Sequence, residues 1–103
     1  MSVKVLPLFY SPLGFQKLTV SSSAVGPTKP TVTPTVRAIT VTVETNSIRY
    51  RIDGSDPTTT DGHLLYDGDV LDITNVNSVN SLKMIAAGSD ATVQITFYGG
   101  GGP

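Results

Sequence analysis

The sequence predicts an all-β protein, a single small sandwich of about seven strands preceded by an irregular N-terminal arm. Several short segments alternate apolar and polar residues, which is the period of a half-buried strand. Glycine, proline, asparagine and aspartate separate these segments, and no segment has the period and length of a helix. A chain of 103 residues has room for one domain and one core. Short strands at this spacing are typical of immunoglobulin-like or jelly-roll-like sandwiches.

Residues 1–16, MSVKVLPLFYSPLGFQ, are apolar but irregular. Pro7 and Pro12 exclude a regular helix and argue against a central strand. Left in water, the large side chains of this segment would form an exposed apolar patch. We therefore predict an extended arm over residues 1–16, which either packs on its own domain or lies on another subunit. The arm residues predicted to bind a partner are Leu6, Leu8, Phe9 and Tyr10.

The first strands follow the arm. Residues 17–23, KLTVSSS, predict a short strand, and residues 24–35, AVGPTKPTVTPT, a proline-rich connection without helical character. In VRAITVTVETNSIRYRI, apolar and polar residues alternate on both sides of Thr45-Asn46. Two antiparallel strands joined by a tight hairpin explain this pattern best. The residues predicted to face the core here are Ile39, Val41, Val43, Ile48, Tyr50 and Ile52.

The second half of the chain repeats the pattern of strand and turn. HLLY precedes Asp67-Gly68 and DVLDI follows it, which predicts strand, turn and strand. Residues 74–80 read as a polar loop. The apolar residues that share a face in the last two predicted strands are Leu82, Met84 and Ala86, then Val93, Ile95 and Phe97. Residues 99–103, GGGGP, are predicted to be a flexible tail, which leaves residues 17–98 as the sandwich domain.

Residues 53–62, DGSDPTTTDG, are rich in oxygen ligands. Asp53, Ser55, Asp56 and Asp61 lie close together in the sequence, as a calcium site would require. Their spacing does not match the EF-hand loop, and no glutamate closes it. Asp-Gly, Asp-Pro and Ser-Asp pairs are what tight turns use. We interpret the segment as a turn and predict no metal site.

Composition argues against several classes of protein. Charged residues make up 15% of the chain, the net charge is −1, and the seven Lys and Arg are scattered, so no basic stripe for nucleic acid is present. The apolar runs are too short to span a membrane, and residues 1–10 lack the features of a signal peptide, which predicts a cytosolic product. Without cysteine, neither disulfides nor thiolates contribute. Many threonines and few charges suit permanent contacts, although threonine also simply favours strands.

The sequence carries no catalytic constellation. His63 is the only histidine, it lies beside a turn, and no Gly-x-Ser-x-Gly or comparable motif accompanies it. A zinc site would need several His or Cys ligands. We therefore predict no catalytic residue, metal or cofactor. For a carbohydrate site, Tyr66 and Tyr98 are the candidates for exposed aromatic platforms, whereas Tyr50 is assigned to the core.

IRYRIDGSDPT, residues 48–58, followed by LYDGDVLDI and SLKMIAAG, resembles the chitobiase C-terminal-type β-sandwich module. The signature of that module is a strand ending in tyrosine, an Asp-Gly-Ser/Thr-x-Pro-Thr turn, and a later strand ending in small residues. It is an accessory domain of glycosidases and other surface enzymes. The resemblance supplies no catalytic residues.

KLTVSSSAVG, AITVTVETNSIRYRIDGSDPTTTDGHLL and DATVQITFYGG, which are spread over residues 17–100, look like segments of small structural proteins of tailed bacteriophages and prophages. In those proteins an Arg-Tyr-Arg-x-Asp-Gly-x-Asp/Ala-Pro-Thr stretch, a Gly-x-Leu-Leu motif and a final strand ending in aromatics and glycine recur in that order. The resemblance implies a structural component of the virion.

From these observations we expect a non-enzymatic bacteriophage protein, foremost a capsid decoration or cement protein that binds and stabilises the assembled head. The expected partners are the major capsid protein and copies of the chain itself, as a homotrimer, with no nucleic acid and no membrane. The expected location is the virion, after synthesis in the bacterial cytoplasm. The alternatives are a neck, tail or fibre protein and, in a different class, a carbohydrate-binding module; an enzyme ranks last.

Overall fold

Two antiparallel β-sheets and one short helix make up the computed structural model, which describes residues 10–28 and 36–100. The strands are β1 (Tyr10–Val20), β2 (Val36–Thr45), β3 (Ile48–Arg51), β4 (His63–Leu65), β5 (Val70–Ile73), β6 (Lys83–Ala86) and β7 (Ala91–Gly100), and helix α1 spans Val76–Ser81. One sheet has the strand order β1-β7-β2-β5 and the other β4-β3-β6. The prediction of an all-β, sandwich-like architecture is confirmed.

One cluster of buried apolar side chains joins the two sheets and forms the core. Ten of the apolar residues that the alternation groups on one face are at most 1% exposed: Ile39, Val41, Val43, Ile48, Leu82, Met84, Ala86, Val93, Ile95 and Phe97. Tyr50 is half-buried and packs against this cluster. Ile52, predicted to face the core as well, is 42% exposed because it lies beyond the end of β3. Each fully buried large side chain contributes about 1.5–3 kcal/mol, so the stability of the domain rests on this cluster.

The connection between β2 and β3 is a crossing between the two sheets. The hairpin predicted at Thr45-Asn46 is therefore wrong, because β2 pairs with β5 and β7 while β3 pairs with β4 and β6. Asn46 has a left-handed φ of 63°, and its side-chain amide donates a hydrogen bond to the carbonyl oxygen of Asp90 at 2.8 Å. The predicted strand pair around Asp67-Gly68 likewise crosses from one sheet to the other. Alternation of apolar residues specifies strands, but not which strands pair.

Strand β1 begins earlier than the sequence predicted. Residues 10–16, assigned to the arm, belong to β1 and pair with β7. Pro12 is tolerated because β1 is an edge strand and its register shifts at a bulge between Pro12 and Gly14. At the other end, Gly99 and Gly100, assigned to the tail, complete β7 opposite the start of β1. Three of the predicted partner-binding residues, Leu6, Leu8 and Phe9, lie outside the described residues.

A single turn-and-a-half of helix replaces part of the loop predicted over residues 74–80. In α1 the side-chain oxygen of Asn75 accepts hydrogen bonds from two backbone N–H groups of the first turn, at 2.9 and 3.2 Å. Val79 is 2% exposed and fixes the helix on the core. Six residues are too few to show a helical period, so only the capping asparagine indicates this helix in the sequence.

The segment after β1 closes one side of the sandwich. Val25 and Met84 exchange two backbone hydrogen bonds of 2.8 Å, and the amide of Ala86 donates to the carbonyl oxygen of Ser21 at 2.9 Å. These bonds cover the free edge of β6. Among the described residues, no strand pairs with the outer edge of β1, which is the longest strand of the protein.

We predict that Asn46→Ala lowers the free energy of unfolding by about 1–2 kcal/mol, because a left-handed backbone strains an alanine and the bond to Asp90 is lost. Asn46→Gly loses the same hydrogen bond but adopts this φ without strain, so it should be the more stable variant. Urea unfolding followed by circular dichroism measures both. Equal stability of the two variants would contradict a role for the left-handed backbone at this crossing.

Candidate functional site

The outer surface of the four-stranded sheet is rich in threonine. On β7, residues 92, 94, 96 and 98 alternate with the buried core residues and therefore point away from the core. Their neighbours on β1 and β2 follow from the strand register. We call this surface the threonine face; it comprises Phe15, Lys17, Thr19, Thr40, Thr42, Thr92, Gln94, Thr96 and Tyr98. Such a surface is polar, but removing its hydroxyl groups from water costs less free energy than removing charged groups.

The strand register sets the side chains of the threonine face in rows across the sheet. Phe15 lies opposite Thr96, which in turn lies opposite Thr40. The row ends at β5, where the hydroxyl of Thr40 donates a hydrogen bond of 2.7 Å to a carboxylate oxygen of Asp72. This bond orients the threonine side chain, because the hydroxyl hydrogen is committed to the carboxylate and the oxygen lone pairs remain available as acceptors.

A shallow groove crosses the threonine face from β1 to β2. Its lining residues are Phe15, Thr40, Thr42, Glu44, Gln94 and Thr96. The threonine and glutamine side chains are half-buried and form the floor, whereas Phe15 is 62% exposed and forms a wall. An aromatic ring beside a few convergent polar groups is the usual composition of a ligand-binding site. The sequence does not single out Phe15, because Pro12 and Gly14 interrupt the alternation and place this residue in the predicted arm.

The predicted partner-binding residues meet the sheet at the start of β1. Tyr10 is the first residue of that strand and lies opposite Gly100, the last residue of β7. The chain that carries Leu6, Leu8 and Phe9 therefore joins the four-stranded sheet at its rim. A segment attached in this way emerges from a paired strand, so its point of origin on the domain is fixed.

The aspartate-rich loop, residues 52–62, connects β3 to β4 and folds on itself. The hydroxyl oxygen of Thr58 accepts hydrogen bonds from the backbone N–H groups of Thr60 and Asp61, at 3.3 and 2.9 Å. The backbone N–H of Thr58 in turn donates to the carbonyl oxygen of Asp61 at 2.9 Å. Asp53 accepts from the backbone N–H of Ser55 at 3.3 Å. These bonds are the side-chain caps that the turn interpretation predicts.

Two arginines of β3 fasten the loop to the sheet. Arg49 donates to the carbonyl oxygens of Thr59 and Gly62, both at 2.9 Å. Arg51 forms a two-point ion pair with Asp53. The hydrogen bonds from Arg51 are the largest cause that lowers the pKa of Asp53, and the backbone N–H of Ser55 adds to it. Gly62 has φ 133°, and a side chain there would press on the backbone of β3.

A second hollow lies between this loop and His63, the first residue of β4. Arg51, Ile52, Asp53, Gly62 and His63 line it. The ring of His63 lies 5.2 Å from the ring of Tyr50, while the carboxylate of Asp53 is bonded to Arg51 and Ser55. The acid and the imidazole of this hollow are thus engaged with other groups instead of with each other. The arrangement supports the fold of the loop.

The two tyrosines considered as sugar platforms occupy different places. Tyr66 is 59% exposed in the connection between β4 and β5, where its backbone N–H donates to Asp69 at 2.8 Å. Tyr98 is half-buried on the threonine face, beside Thr96 along β7. The structure therefore brings Tyr98 close to the groove and leaves Tyr66 elsewhere.

Within residues 10–28 and 36–100, no group of three or more acidic or histidine side chains is placed to hold a metal ion. The helix that this part of the chain contains is too short to cross a membrane.

Comparison of the chain with protein-family models, with curated proteins and with solved structures found no match. The resemblances to the chitobiase C-terminal-type module and to bacteriophage structural proteins therefore stay predictions from the sequence.

We predict that Asp53→Asn lowers the melting temperature at neutral pH, since it removes the ion pair with Arg51. A carboxylate whose pKa is lowered by folding stabilises the folded state above its unfolded pKa of about 3.9 and loses that effect as the pH falls through the lower folded pKa. The difference between wild type and variant should therefore shrink to zero in strong acid. Asp56→Asn, which removes an equal charge from the same loop, is the control. Thermal melts between neutral and strongly acidic pH measure the effect; a difference that persists unchanged in acid would contradict it.

We also predict that calcium leaves the melting temperature unchanged, because the loop aspartates Asp53 and Asp61 already bond to groups within the protein. Differential scanning fluorimetry with excess calcium chloride and then with chelator tests this. A rise of several degrees that the chelator reverses would show that the loop is an ion site after all.

Proposed function

We propose that this protein is a non-enzymatic structural protein of a bacteriophage virion, a decoration protein that binds the assembled head. The resemblance of residues 17–26, 38–65 and 90–100 to small virion proteins supports the proposal. The observation that carries it is the pairing of β1 with β7 from Tyr10 onward, so that the chain bearing the apolar N-terminal residues enters the domain at an edge strand of the four-stranded sheet. An anchor of this kind gives a small domain a defined attachment to a larger surface.

In this proposal the arm binds the partner through its apolar side chains, and the sandwich is the rigid domain that the arm attaches to the head. Leu6, Leu8, Phe9 and Tyr10 are the anchors, and burying each on a partner contributes about 1.5–3 kcal/mol before the cost of ordering the arm is subtracted. Tyr10 belongs to β1, so residues 1–9 are the part of the predicted arm that lies outside the described residues. The anchors that remain on the arm are then Leu6, Leu8 and Phe9.

Stabilisation of the head follows from mass action. A protein that binds only the assembled shell stabilises it by about 2.7 kcal/mol when its free concentration is a hundred times its Kd. Copies of the chain joined as a homotrimer would add avidity, because the second and third contacts form within one assembly. The major capsid protein is the proposed partner.

The test is a deletion of residues 2–9, which removes the proposed anchors Leu6, Leu8 and Phe9 and leaves β1 whole. We predict that the truncated protein keeps the circular dichroism spectrum of the full chain but no longer cosediments with heads that lack the wild-type protein. A longer deletion to Gln16 would remove seven residues of β1 as well, and a loss of binding would then have no single cause.

Two measurements complete this experiment. Tyr66→Ala is the matched control, because it removes an exposed aromatic side chain from the connection between β4 and β5, away from residues 2–9 and from the groove, and should leave head binding intact. Full occupancy of heads by the truncated protein would refute the arm. Quantitative mass spectrometry of purified virions then separates the locations, since hundreds of copies per particle fit head decoration and a dozen or fewer fit the neck or tail.

A further inference from the structure

We infer that the groove on the threonine face is a binding site for a neutral oligosaccharide. This site depends on the side chains of the groove and does not require the arm or attachment to a capsid. It also differs from the carbohydrate site considered from the sequence, in which Tyr66 and Tyr98 would be the aromatic platforms.

Phe15 is the aromatic platform of the site. Its side chain is 62% exposed, although it lies in a paired strand whose alternate residues pack toward the core. A ligand whose apolar face covers this phenyl ring removes apolar surface from water, which favours binding. The C–H face of a pyranose ring is such a surface. Tyr98 lies two residues from Thr96 on the same face and offers a second ring at the side of the groove.

The floor of the groove supplies the hydrogen bonds that a sugar needs. Gln94 offers two amide donors and a carbonyl acceptor, and the hydroxyls of Thr42 and Thr96 can donate and accept. The hydroxyl of Thr40 donates to Asp72, so toward a ligand it serves as an acceptor. Glu44 adds a carboxylate acceptor at the end of the groove. A pyranose, which carries hydroxyls around an apolar C–H face, matches this set of groups.

Charge favours a neutral ligand over an anionic one. Glu44 is the charged residue that lines the groove, and Lys17 lies outside the lining on the neighbouring position of β1. Arg37 lies on β2 of the same sheet but outside the lining, whereas Arg49, Arg51 and Lys83 belong to the other sheet. A phosphate or a uronic acid placed in the groove would therefore lie beside the carboxylate of Glu44, the charged group of the lining, which raises the cost of removing the anion from water.

The dimensions of the site favour an oligosaccharide. The groove reaches from Phe15 on β1 over β7 to Thr40 and Thr42 on β2. Neighbouring strands lie about 4.8 Å apart, so this path is about 10 Å long. Two sugar rings fill that length, with one ring on Phe15 and the next over the hydroxyls of β2.

The experiment is a nuclear magnetic resonance titration of the full chain with cellohexaose, chitohexaose, maltohexaose and xylohexaose, alongside a glycan array that includes neutral bacterial polysaccharides. We expect at least one neutral glycan to shift the backbone amide signals of β1, β2 and β7 around the groove, with a Kd in the range of about 0.1–10 mM. Phe15→Ala should weaken that binding at least tenfold, since it removes the platform. Gln94→Ala should weaken it by a smaller factor.

Tyr66→Ala is the matched control, because it removes an aromatic ring of similar exposure that lies away from the threonine face. Binding that survives Phe15→Ala, or that Tyr66→Ala abolishes, would overturn the site. Absence of any binding on the array and in the titrations would overturn the inference itself. Loss of head binding in Phe15→Ala without any glycan binding would show that the groove contacts a protein instead. Failure of the arm experiment leaves the glycan titrations and the array unaffected, so the two proposals fail separately.

Discussion

The alternation of side chains along β7 is the constraint on which the rest of the structure depends. This strand lies between β1 and β2 and pairs with both along most of its length. Its odd-numbered residues from Ala91 to Phe97 are buried, and the even-numbered ones point to the threonine face. A slip of one residue in either pairing would exchange the two faces and bring threonine into the core. The same pattern thus fixes the core and creates the candidate binding surface.

The connections between the strands are set by the need to cover this core from a second sheet. The chain crosses from one sheet to the other after β2, after β4, after β5 and after β6. Each crossing needs a sharp change of direction, and Asn46 shows one way to achieve it with a left-handed backbone. The loop from β3 to β4 stays within one sheet and is long, and Arg49 and Arg51 hold it down. Asp53 therefore helps to hold this loop in place through its ion pair with Arg51.

The two proposed functions use different physics on the same sheet. The arm would bind through burial of large apolar side chains, which is strong but not selective for a particular ligand. The groove would bind through one aromatic ring and oriented polar groups, which is weaker for each contact but depends on the shape of the ligand. Both start from β1, since Tyr10 begins this strand and Phe15 lies within it. A head-bound protein that presents a sugar-binding face outward is consistent with both proposals.

The sequence by itself determined the strands of the core and the side chains that fill it. Residues such as Val41, Val93 and Phe97 could be assigned because a period of two is visible over four or more residues. The nature of the aspartate-rich loop was also predictable, because its glycines and capping side chains act on their immediate neighbours.

Only the tertiary structure decided which strands pair, where β1 begins and where the candidate groove lies. A hairpin and a crossing between sheets leave the same alternation in the sequence, so the partner of β3 could not be predicted from Asn46 and its neighbours. Phe15 was assigned to the arm because Pro12 and Gly14 conceal the strand, and both are tolerated there only because β1 is an edge strand with a bulge. The groove joins residues from three strands that are far apart in the sequence, and their proximity is a property of register, which arises when the sheets pack.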